Sequence, residues 1–197
     1  MIAIVDACSG NLRSVERALA RAGGAPVITR DPDVVRRADK IVVPGQGAFG
    51  EFIRGLGERG LGEALREAIG DGRPYLGICL GLQVLFEASE ESPGVAGLGV
   101  LRGAVTKLAA DGAVKVPHVG WNRVHGADPL MRGIPDDSYF YFVHSYRAEP
   151  ADGAALSTTH GVPFAAAVRR GNVFACQFHP EKSQGVGLAL LANFVAS

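Results

Sequence analysis

The composition of the chain is that of a globular protein that folds in water. It has 197 residues, of which 47% are hydrophobic and 20% are charged, enough for one core of useful size. Its 20 basic and 20 acidic residues give a formal net charge of zero. This balance excludes the strongly cationic surface of most nucleic-acid-binding proteins, so we expect one domain over residues 1–197 and no nucleic-acid partner.

The cysteines and the N-terminus favour a reducing compartment. Cys8, Cys79 and Cys176 are odd in number, far apart, and without the CxxC spacing of a zinc cluster or disulfide framework. Residues 1–6 form a short apolar run without a basic region, which predicts a strand and not a signal peptide. Because no apolar stretch approaches the length of a membrane span, we expect a cytoplasmic protein with no membrane association. We also expect no metal and no cofactor.

The first half of the chain alternates strand-like and helix-like segments. Runs of β-branched residues predict strands at 2–5, 26–29, 40–43 and 75–78. Apolar periodicity and turn residues predict helices or helical turns at 12–22, 33–37, 49–69 with a break near Gly60, and 80–88. Asn11 is the predicted cap of the first helix. Continuous apolar strands between helices are typical of a parallel sheet covered on both faces.

After Ser89 the pattern changes to short strands. These are predicted at 100–108, 113–117, 139–144, 155–159, 164–169 and 173–178, with a hairpin turn at 170–172 and a final helix over 183–197 capped by Ser183. The prediction is one α/β domain whose mostly parallel sheet is extended by antiparallel strands. Such sheets bind ligands beyond the carboxyl ends of their strands, so we expect Asp6, Gly45 and Cys79 to converge on one crevice.

Cys79 is the strongest candidate for a catalytic residue. It lies in Gly77-Ile78-Cys79-Leu80-Gly81, directly after a predicted strand. A nucleophile at a sharp strand-to-helix turn has this pattern, because small neighbours let the chain turn tightly and expose the attacking atom. The following helix would direct its N-terminal amides at the sulfur and favour the thiolate. The alternative is a structural cysteine buried in a strand.

The candidate base is His179, which follows the predicted strand 173–178 and precedes Pro180-Glu181. Pro180 keeps residue 179 extended, and residues i and i+2 of an extended segment point the same way. Glu181 could then hold the imidazole in one tautomer, which gives a triad of Cys79, His179 and Glu181. His179 would accept the thiol proton and later donate it to a leaving amine. The alternative is a surface histidine beside a glutamate.

Acyl chemistry through a thiolate also needs amides that stabilise an oxyanion. The amide of Leu80, next after the nucleophile, is one candidate donor. The glycine-rich turn after the third strand supplies the other, at Gln46 and Gly47. Gln83 lies one helical turn beyond Cys79 on the same face and could bind a polar substrate. The alternatives are a plain turn and an exposed glutamine.

Two segments carry a resemblance to a known family. Gly77 to Gln83, read as Gly-Ile-Cys-Leu-Gly-Leu-Gln, and Gln177 to Glu181, read as Gln-Phe-His-Pro-Glu, resemble the class I, or triad, glutamine amidotransferases. The resemblance implies a three-layer, flavodoxin-like α/β fold with no cofactor. It implies that glutamine acylates Cys79 with release of ammonia, and that water hydrolyses the thioester to glutamate. It also implies that Gln83 and the backbone of His144, Ser145 and Tyr146 hold the glutamine.

Further motifs resemble one branch of that family, the glutaminase subunits of histidine biosynthesis. They are Asp6 with 9–14, 44–49, 117–122, 141–146 and 181–183. The resemblance implies a heterodimer in which the ammonia passes to a (β/α)8-barrel cyclase, HisF. The cyclase would form imidazole glycerol phosphate and aminoimidazole carboxamide ribotide from a phosphoribulosyl formimino nucleotide. It also implies that the residues at the partner interface include Asn11, His118, Trp121, Asn122 and Lys182.

Two departures from the family pattern stand near the expected interface and oxyanion turn. Ala7-Cys8 replaces a common Tyr-Gly pair, so an aromatic ring is missing, and we assign no catalytic role to Cys8. Gln46 occupies a position that is often Val, in a turn that the family can leave unformed until the partner binds. Three alternatives stay open: another triad glutaminase, a stand-alone cysteine hydrolase of the same class, and a non-catalytic module that gates a partner.

Overall fold

The computed structural model describes residues 1–8, 11–109, 114–151 and 153–197. Its strands are β1 (Ile2–Val5), β2 (Pro26–Thr29), β3 (Lys40–Gly45), β4 (Tyr75–Cys79), β5 (Ala88–Ser89), β6 (Gly103–Lys107), β7 (His118–Gly126), β8 (Ser138–His144), β9 (Tyr146–Pro150), β10 (Ala154–His160), β11 (Val162–Arg170) and β12 (Val173–Cys176). Its helices are α1 (Leu12–Arg21), α2 (Pro32–Arg37), α3 (Phe49–Glu58), α4 (Leu61–Gly70), α5 (Leu80–Gln83) and α6 (Gln184–Ala196). Short 3₁₀ turns occur at Pro129–Met131 and Pro180–Lys182.

A nine-stranded sheet in the order β2-β1-β3-β4-β12-β11-β10-β7-β8 forms the centre of the molecule. The strands from β2 to β12 in this order are parallel. The strands from β11 to β8 continue the sheet with antiparallel pairs. A small sheet of β5, β6 and β9 lies apart from it. The predicted architecture, a mostly parallel sheet extended by antiparallel strands, is confirmed.

Helices pack on both faces of the parallel strands, as expected for strands that are apolar along their whole length. On one face, Ile4 and Val42 pack with Leu19 of α1 and Leu191 of α6. On the other face, Val43 packs with Phe52 of α3 and Leu65 of α4. Within the described ranges, no helix has the length and apolar character needed to cross a membrane.

The segment after the candidate nucleophile is where the predicted elements were least accurate. The helix predicted over 80–88 ends at Gln83, and residues 88–89 form β5. The reason is that backbone amides of another loop bind the carbonyls that would have continued the helix. Leu98 N donates to Val84 O over 2.8 Å, and Leu101 N donates to Leu85 O over 2.9 Å.

Two strands and two caps also differ from the prediction. The strand predicted at 113–117 is wrong for its described part, because β7 begins at His118; residue 113, like residues 9 and 10 of one motif, lies outside the described residues. β9 was not predicted. Asn11 and Ser183 precede their helices, but neither side chain makes a capping hydrogen bond with a described residue. Ser183 Oγ instead donates to His179 O over 2.6 Å and accepts from Tyr141 N over 3.0 Å.

Candidate active site

Cys79 lies at a strained turn between β4 and α5. Its φ of 54° and ψ of −107° are unusual for a residue other than glycine, and such backbone strain clusters at functional sites. The turn requires close packing of the chain, since a Cβ on Gly81 would overlap the carbonyl oxygen of Val43. The sequence therefore places a cysteine where a nucleophile elbow places its attacking atom.

Among the described residues, two groups make hydrogen-bond contacts with the Cys79 sulfur. Nε2 of Gln177 donates to Sγ over 3.5 Å, and the thiol lies 3.9 Å from the carbonyl oxygen of Val143. Gln177 is fully buried, one residue after β12. The sequence analysis did not single it out as a site residue. The sequence feature that could have indicated its role is a polar amide directly after an otherwise apolar strand.

The other two cysteines are less suited to nucleophilic chemistry. Cys176 is fully buried, and this burial raises the pKa of its thiol well above the usual value. Partial burial and the nearby carboxylate of Asp6 raise the pKa of the Cys8 thiol. Because the thiolate is the reactive form, both groups are held in the unreactive state at neutral pH.

The imidazole of His179 is paired with Glu181. Nδ1 lies 2.8 Å from Oε1, and the side chains of His179 and Glu181 are 7% and 2% exposed. Burial by itself would lower the pKa of His179, but Cys79 and Glu181 outweigh it and raise the pKa to about 10. Cys79 and Glu181 therefore favour the protonated form of the imidazole, and the carboxylate fixes a proton on Nδ1.

The relation between His179 and Cys79 is close but incompletely aligned. The Cys79 sulfur raises the pKa of His179, as a hydrogen-bonded neighbour would. Yet the buried Nε2 has no hydrogen bond of normal geometry with any described residue. The two groups are adjacent, but they are not hydrogen-bonded, because distance and angle define a hydrogen bond. Catalytic hydrogen bonds in unliganded sites are often long and tighten only with substrate.

A cavity of about 350 Å³ opens beside the thiol. It brings together most of the residues predicted for catalysis, the oxyanion and the substrate: Gln46, Gly47, Cys79, Leu80, Gln83, His144, Ser145, Tyr146 and His179. Glu91, Pro117, Val143 and Lys182 complete the lining. The cavity has the size range of small-ligand sites. A larger groove of about 650 Å³ between α1 and α6 reaches the Glu181 side, but its described lining includes neither the thiol nor the imidazole.

The predicted oxyanion turn lies at the edge of this cavity. Gly47 has a φ of +95°, a conformation that glycine adopts without strain. The carbonyl oxygen of Gln46 is 3.7 Å from the thiol of Cys8, which is the donor. Glu91, which the sequence analysis did not single out, accepts a hydrogen bond of 2.7 Å from the amide of Phe49, at the start of α3. The turn is thus held between Cys8 on one side and α3 on the other.

Gln83 is buried and fixed by two acceptors. Its Nε2 donates to Tyr146 O over 3.1 Å and to Oε1 of Gln177 over 3.0 Å. Both hydrogens of the amide nitrogen are therefore used within the protein. The alternative of an exposed helix glutamine is wrong, because Gln83 is only 4% exposed.

Three of the five residues predicted at a partner interface are Trp121, Lys182 and Asn11, each in a different setting. Trp121 is on the outer face of the β7–β8 hairpin, where Val119, Trp121 and Tyr139 are 56%, 45% and 49% exposed. Lys182 Nζ lies 5.7 Å from the ring centre of Tyr141, which faces Trp121. Asn11 is exposed and borders a small cavity beside Glu181.

The other two predicted interface residues lie on the opposite face of the hairpin. His118 is only 4% exposed, so its side chain is covered within this chain, and Asn122 is partly buried.

Asp6 departs from its expected position beside Cys79. Its Oδ2 accepts a hydrogen bond of 2.7 Å from Arg30 Nε, and Asp6 is not among the described residues that line the cavity beside Cys79.

The chain is similar to proteins of one family over nearly its whole length. The model of the glutamine amidotransferase class-I family matches residues 3–197. Imidazole glycerol phosphate synthase subunit HisH of Methylococcus capsulatus is 50% identical, over 98% of this chain and 95% of that protein. The protein of the same name from Thermococcus kodakarensis is 51% identical, over 98% of each chain.

Solved structures agree with this similarity at the level of the fold. The structure of PurLQS from Thermotoga maritima has a TM-score of 0.76 at 20% identity, over 99% of this chain and 96% of that chain. A crystal structure of a glutamine amidotransferase has a TM-score of 0.75 at 21% identity, over 97% and 98% of the two chains. The chain belongs to the class I glutamine amidotransferases and, within them, to the family of HisH subunits.

Proposed function

We propose that this chain is the glutaminase subunit of imidazole glycerol phosphate synthase. In this proposal it hydrolyses L-glutamine to glutamate and ammonia in the cytoplasm, as one domain over residues 1–197. It supplies the ammonia to a HisF cyclase subunit in a heterodimer. The observation that carries the proposal is the convergence on one cavity of a strained Cys79 and of His179, which is paired with Glu181. The names of its relatives give the metabolic setting.

The chemistry begins at the sulfur of Cys79. As a thiolate it attacks the side-chain amide carbon of glutamine, and the carbonyl oxygen takes up the negative charge. The proposed donors to this oxyanion are the amide of Leu80 and the Gln46–Gly47 turn, whose residues line the cavity beside the thiol. The C–N bond then breaks, and the departing nitrogen takes a proton from His179 and leaves as ammonia. Water next adds to the thioester, giving glutamate and the free thiol.

The electrostatic state of His179 suits the first half of this sequence. Its pKa of about 10 means that the imidazole already carries the proton that the leaving group needs. After ammonia has left, the neutral imidazole can accept a proton from the attacking water. Glu181 keeps the ring in one orientation throughout.

The surface around the cavity suits a partner that controls access. The outer face of the β7–β8 hairpin exposes Val119, Trp121 and Tyr139, and large exposed aromatic residues are frequent anchors of protein interfaces. Lys182 contacts both this face, through Tyr141, and the cavity. We propose that HisF docks on the hairpin face, with Asn11 and Lys182 at the margins, and that docking adjusts the Gln46–Gly47 turn.

The experiment that tests the proposal is a glutaminase assay of the purified chain, with and without a purified cyclase barrel and its nucleotide substrate. We expect slow hydrolysis by the chain alone and strong stimulation in the complex. A hydrolysis rate that ignores the barrel would favour a stand-alone cysteine hydrolase. The complete absence of glutamine hydrolysis in both conditions would favour a non-catalytic gating module.

A further inference from the structure

Two buried histidines, His144 in the cavity wall and His118 next to it, are joined by a continuous set of hydrogen bonds. Nδ1 of His118 lies 2.9 Å from Nε2 of His144, and Nδ1 of His144 lies 2.8 Å from the carbonyl oxygen of Tyr146. At the other end, Nδ2 of Asn122 lies 3.2 Å from Nε2 of His118. His118 and His144 are 4% and 6% exposed. The proposed triad by itself gives these side chains no role in the reaction.

The direction of every bond in this set follows from its end groups. A carbonyl oxygen only accepts, so Nδ1 of His144 carries a hydrogen and Nε2 of the neutral ring accepts. Nδ1 of His118 must then be the donor to His144, which leaves Nε2 of His118 as an acceptor for the amide of Asn122. With both rings neutral, each therefore carries its hydrogen on Nδ1.

The orientation of the Asn122 amide agrees with this assignment. Its Oδ1 accepts from the amide of Arg123 over 2.8 Å, which identifies Nδ2 as the side that faces His118. The second hydrogen of Nδ2 is donated to the carbonyl oxygen of Thr159 over 2.8 Å. Both ends of the chain of bonds are thus fixed by groups with a single hydrogen-bonding role.

The surroundings of the two rings disfavour a second proton on either of them. His118 is stacked between Phe142, at 4.8 Å between ring centres, and His160, at 4.0 Å. Burial, aided by His160, lowers the pKa of His118 to about 4, and burial lowers the pKa of His144 to about 3. Protonating His144 at Nε2 would set two N–H groups against each other across 2.9 Å, and protonating His118 at Nε2 would set an N–H against the amide of Asn122 across 3.2 Å.

The far end of the set reaches the nucleophile. The Tyr146 carbonyl that accepts from His144 also accepts from Gln83, and Gln83 donates to Gln177, whose amide contacts the sulfur of Cys79. Tyr146 O and Gln83 belong to residues of the cavity wall. A change in the position of this carbonyl therefore changes the wall that a bound glutamine would meet.

We propose that Asn122, His118 and His144 form a one-directional hydrogen-bond chain that holds the Tyr146 carbonyl in the cavity wall, so that His118 and His144 are positioning residues for glutamine binding. The inference rests on the proposed glutaminase function for its kinetic consequence. The tautomers that it assigns to the two rings do not depend on that function.

The first test is NMR of the full chain with ¹⁵N-labelled histidine, using long-range proton–nitrogen correlations. We expect both His118 and His144 as Nδ1–H tautomers that do not titrate between about pH 5 and 8, where an ordinary histidine does. A ring with its hydrogen on Nε2, or one that titrates in this range, would overturn the assigned chain.

The second test compares two variants of His144 in the complex with the cyclase. His144→Asn keeps an N–H near the position of Nδ1, whereas His144→Gln keeps an acceptor near Nε2 but loses the donor to Tyr146 O. We expect the KM for glutamine to rise about tenfold in His144→Gln, as for one lost buried hydrogen bond, and much less in His144→Asn. Equal KM values in two variants of equal thermal stability would contradict the positioning role. If the wild-type complex shows no glutaminase activity, the proposed function fails, while the NMR experiment still decides the hydrogen-bond chain.

Discussion

Nδ1 of His179 and Oε1 of Glu181 are 2.8 Å apart in a setting where both side chains are almost completely buried. Removing the carboxylate should cost more here than at a surface ion pair, because deleting one partner of a buried pair leaves the other without compensation. The contact also ties the base to the 3₁₀ turn at Pro180–Lys182, which connects β12 to α6. Stability and the proposed catalysis therefore depend on the same two residues.

The substitution Glu181→Gln tests the role of this carboxylate. We expect kcat for glutamine to fall by a factor of about 10² or more, because the amide can hold the ring in the wrong tautomer and does not stabilise an imidazolium. Steady-state kinetics of the complex measure the effect. Glu63→Gln, a change at an exposed position of α4, is the matched control and should leave kcat unchanged. Equal kcat values in the two variants would argue against the triad.

The raised pKa of His179 predicts how stability varies with pH. The folded-state pKa of about 10 lies above the unfolded value, so the stabilisation is complete below pH about 6.5 and is lost as the pH rises through 10. The free energy of unfolding of the wild type, relative to His179→Asn, should fall by up to about 1.4 kcal/mol per pH unit in this window.

Urea unfolding at several pH values measures this difference, with Glu63→Gln, at an exposed position of α4, as the control. The control should show the same pH dependence as the wild type. A gap between wild type and His179→Asn that stays constant, or widens, with rising pH would mean that His179 is not held as an imidazolium.

Lys182 is predicted to couple the cavity to the partner. Its Nζ lies over the Tyr141 ring, and the residue also lines the cavity. Lys182→Ala should weaken stimulation of glutamine hydrolysis by the cyclase about tenfold, and it should change the free energy of unfolding by less than about 0.5 kcal/mol, as for most surface changes. Lys107→Ala, at an exposed position of β6, is the control. Stimulation that is the same in both variants would remove Lys182 from the coupling.

Trp121 is predicted to anchor the cyclase. An exposed aromatic ring on the outer face of the hairpin can bury a large apolar area against a partner. Trp121→Ala should weaken binding to the cyclase by about 2 kcal/mol, measured by titration calorimetry. Val27→Ala removes an exposed apolar side chain from β2, at the opposite edge of the sheet, and should leave the affinity unchanged. Comparable losses in both variants would indicate a different docking surface.

The sequence predicted those parts of the site that depend on local pattern. Gly77 and Gly81 around Cys79 indicated a tight turn, and the structure gives Cys79 a left-handed φ at that point. The spacing of His179 and Glu181 indicated a direct contact, which the structure shows, although Glu181 lies in a 3₁₀ turn and not in an extended segment. These features were predictable because neighbouring residues along the chain determine them.

The parts that were missed depend on residues far apart in sequence. Gln177 meets Cys79 across 98 residues, and His118 meets His144 only because β7 and β8 pair. The helix over-predicted beyond Gln83 had the right apolar pattern, but amides of residues 98 and 101 bind the carbonyls it needed. No periodicity within a short window carries such information, since tertiary contacts override local propensity.

The most direct test of the central claim, that Cys79 is the nucleophile, is to compare glutamine-dependent and ammonia-dependent synthesis in the complex with the cyclase. Cys79→Ala should abolish synthesis from glutamine but leave synthesis from added ammonia at the wild-type rate, because the cyclase would not need the thiol. Cys8→Ser, which removes a thiol outside the triad but keeps a donor to the carbonyl oxygen of Gln46, should keep most of the glutamine-dependent rate. Retained turnover of glutamine in Cys79→Ala would contradict the assignment.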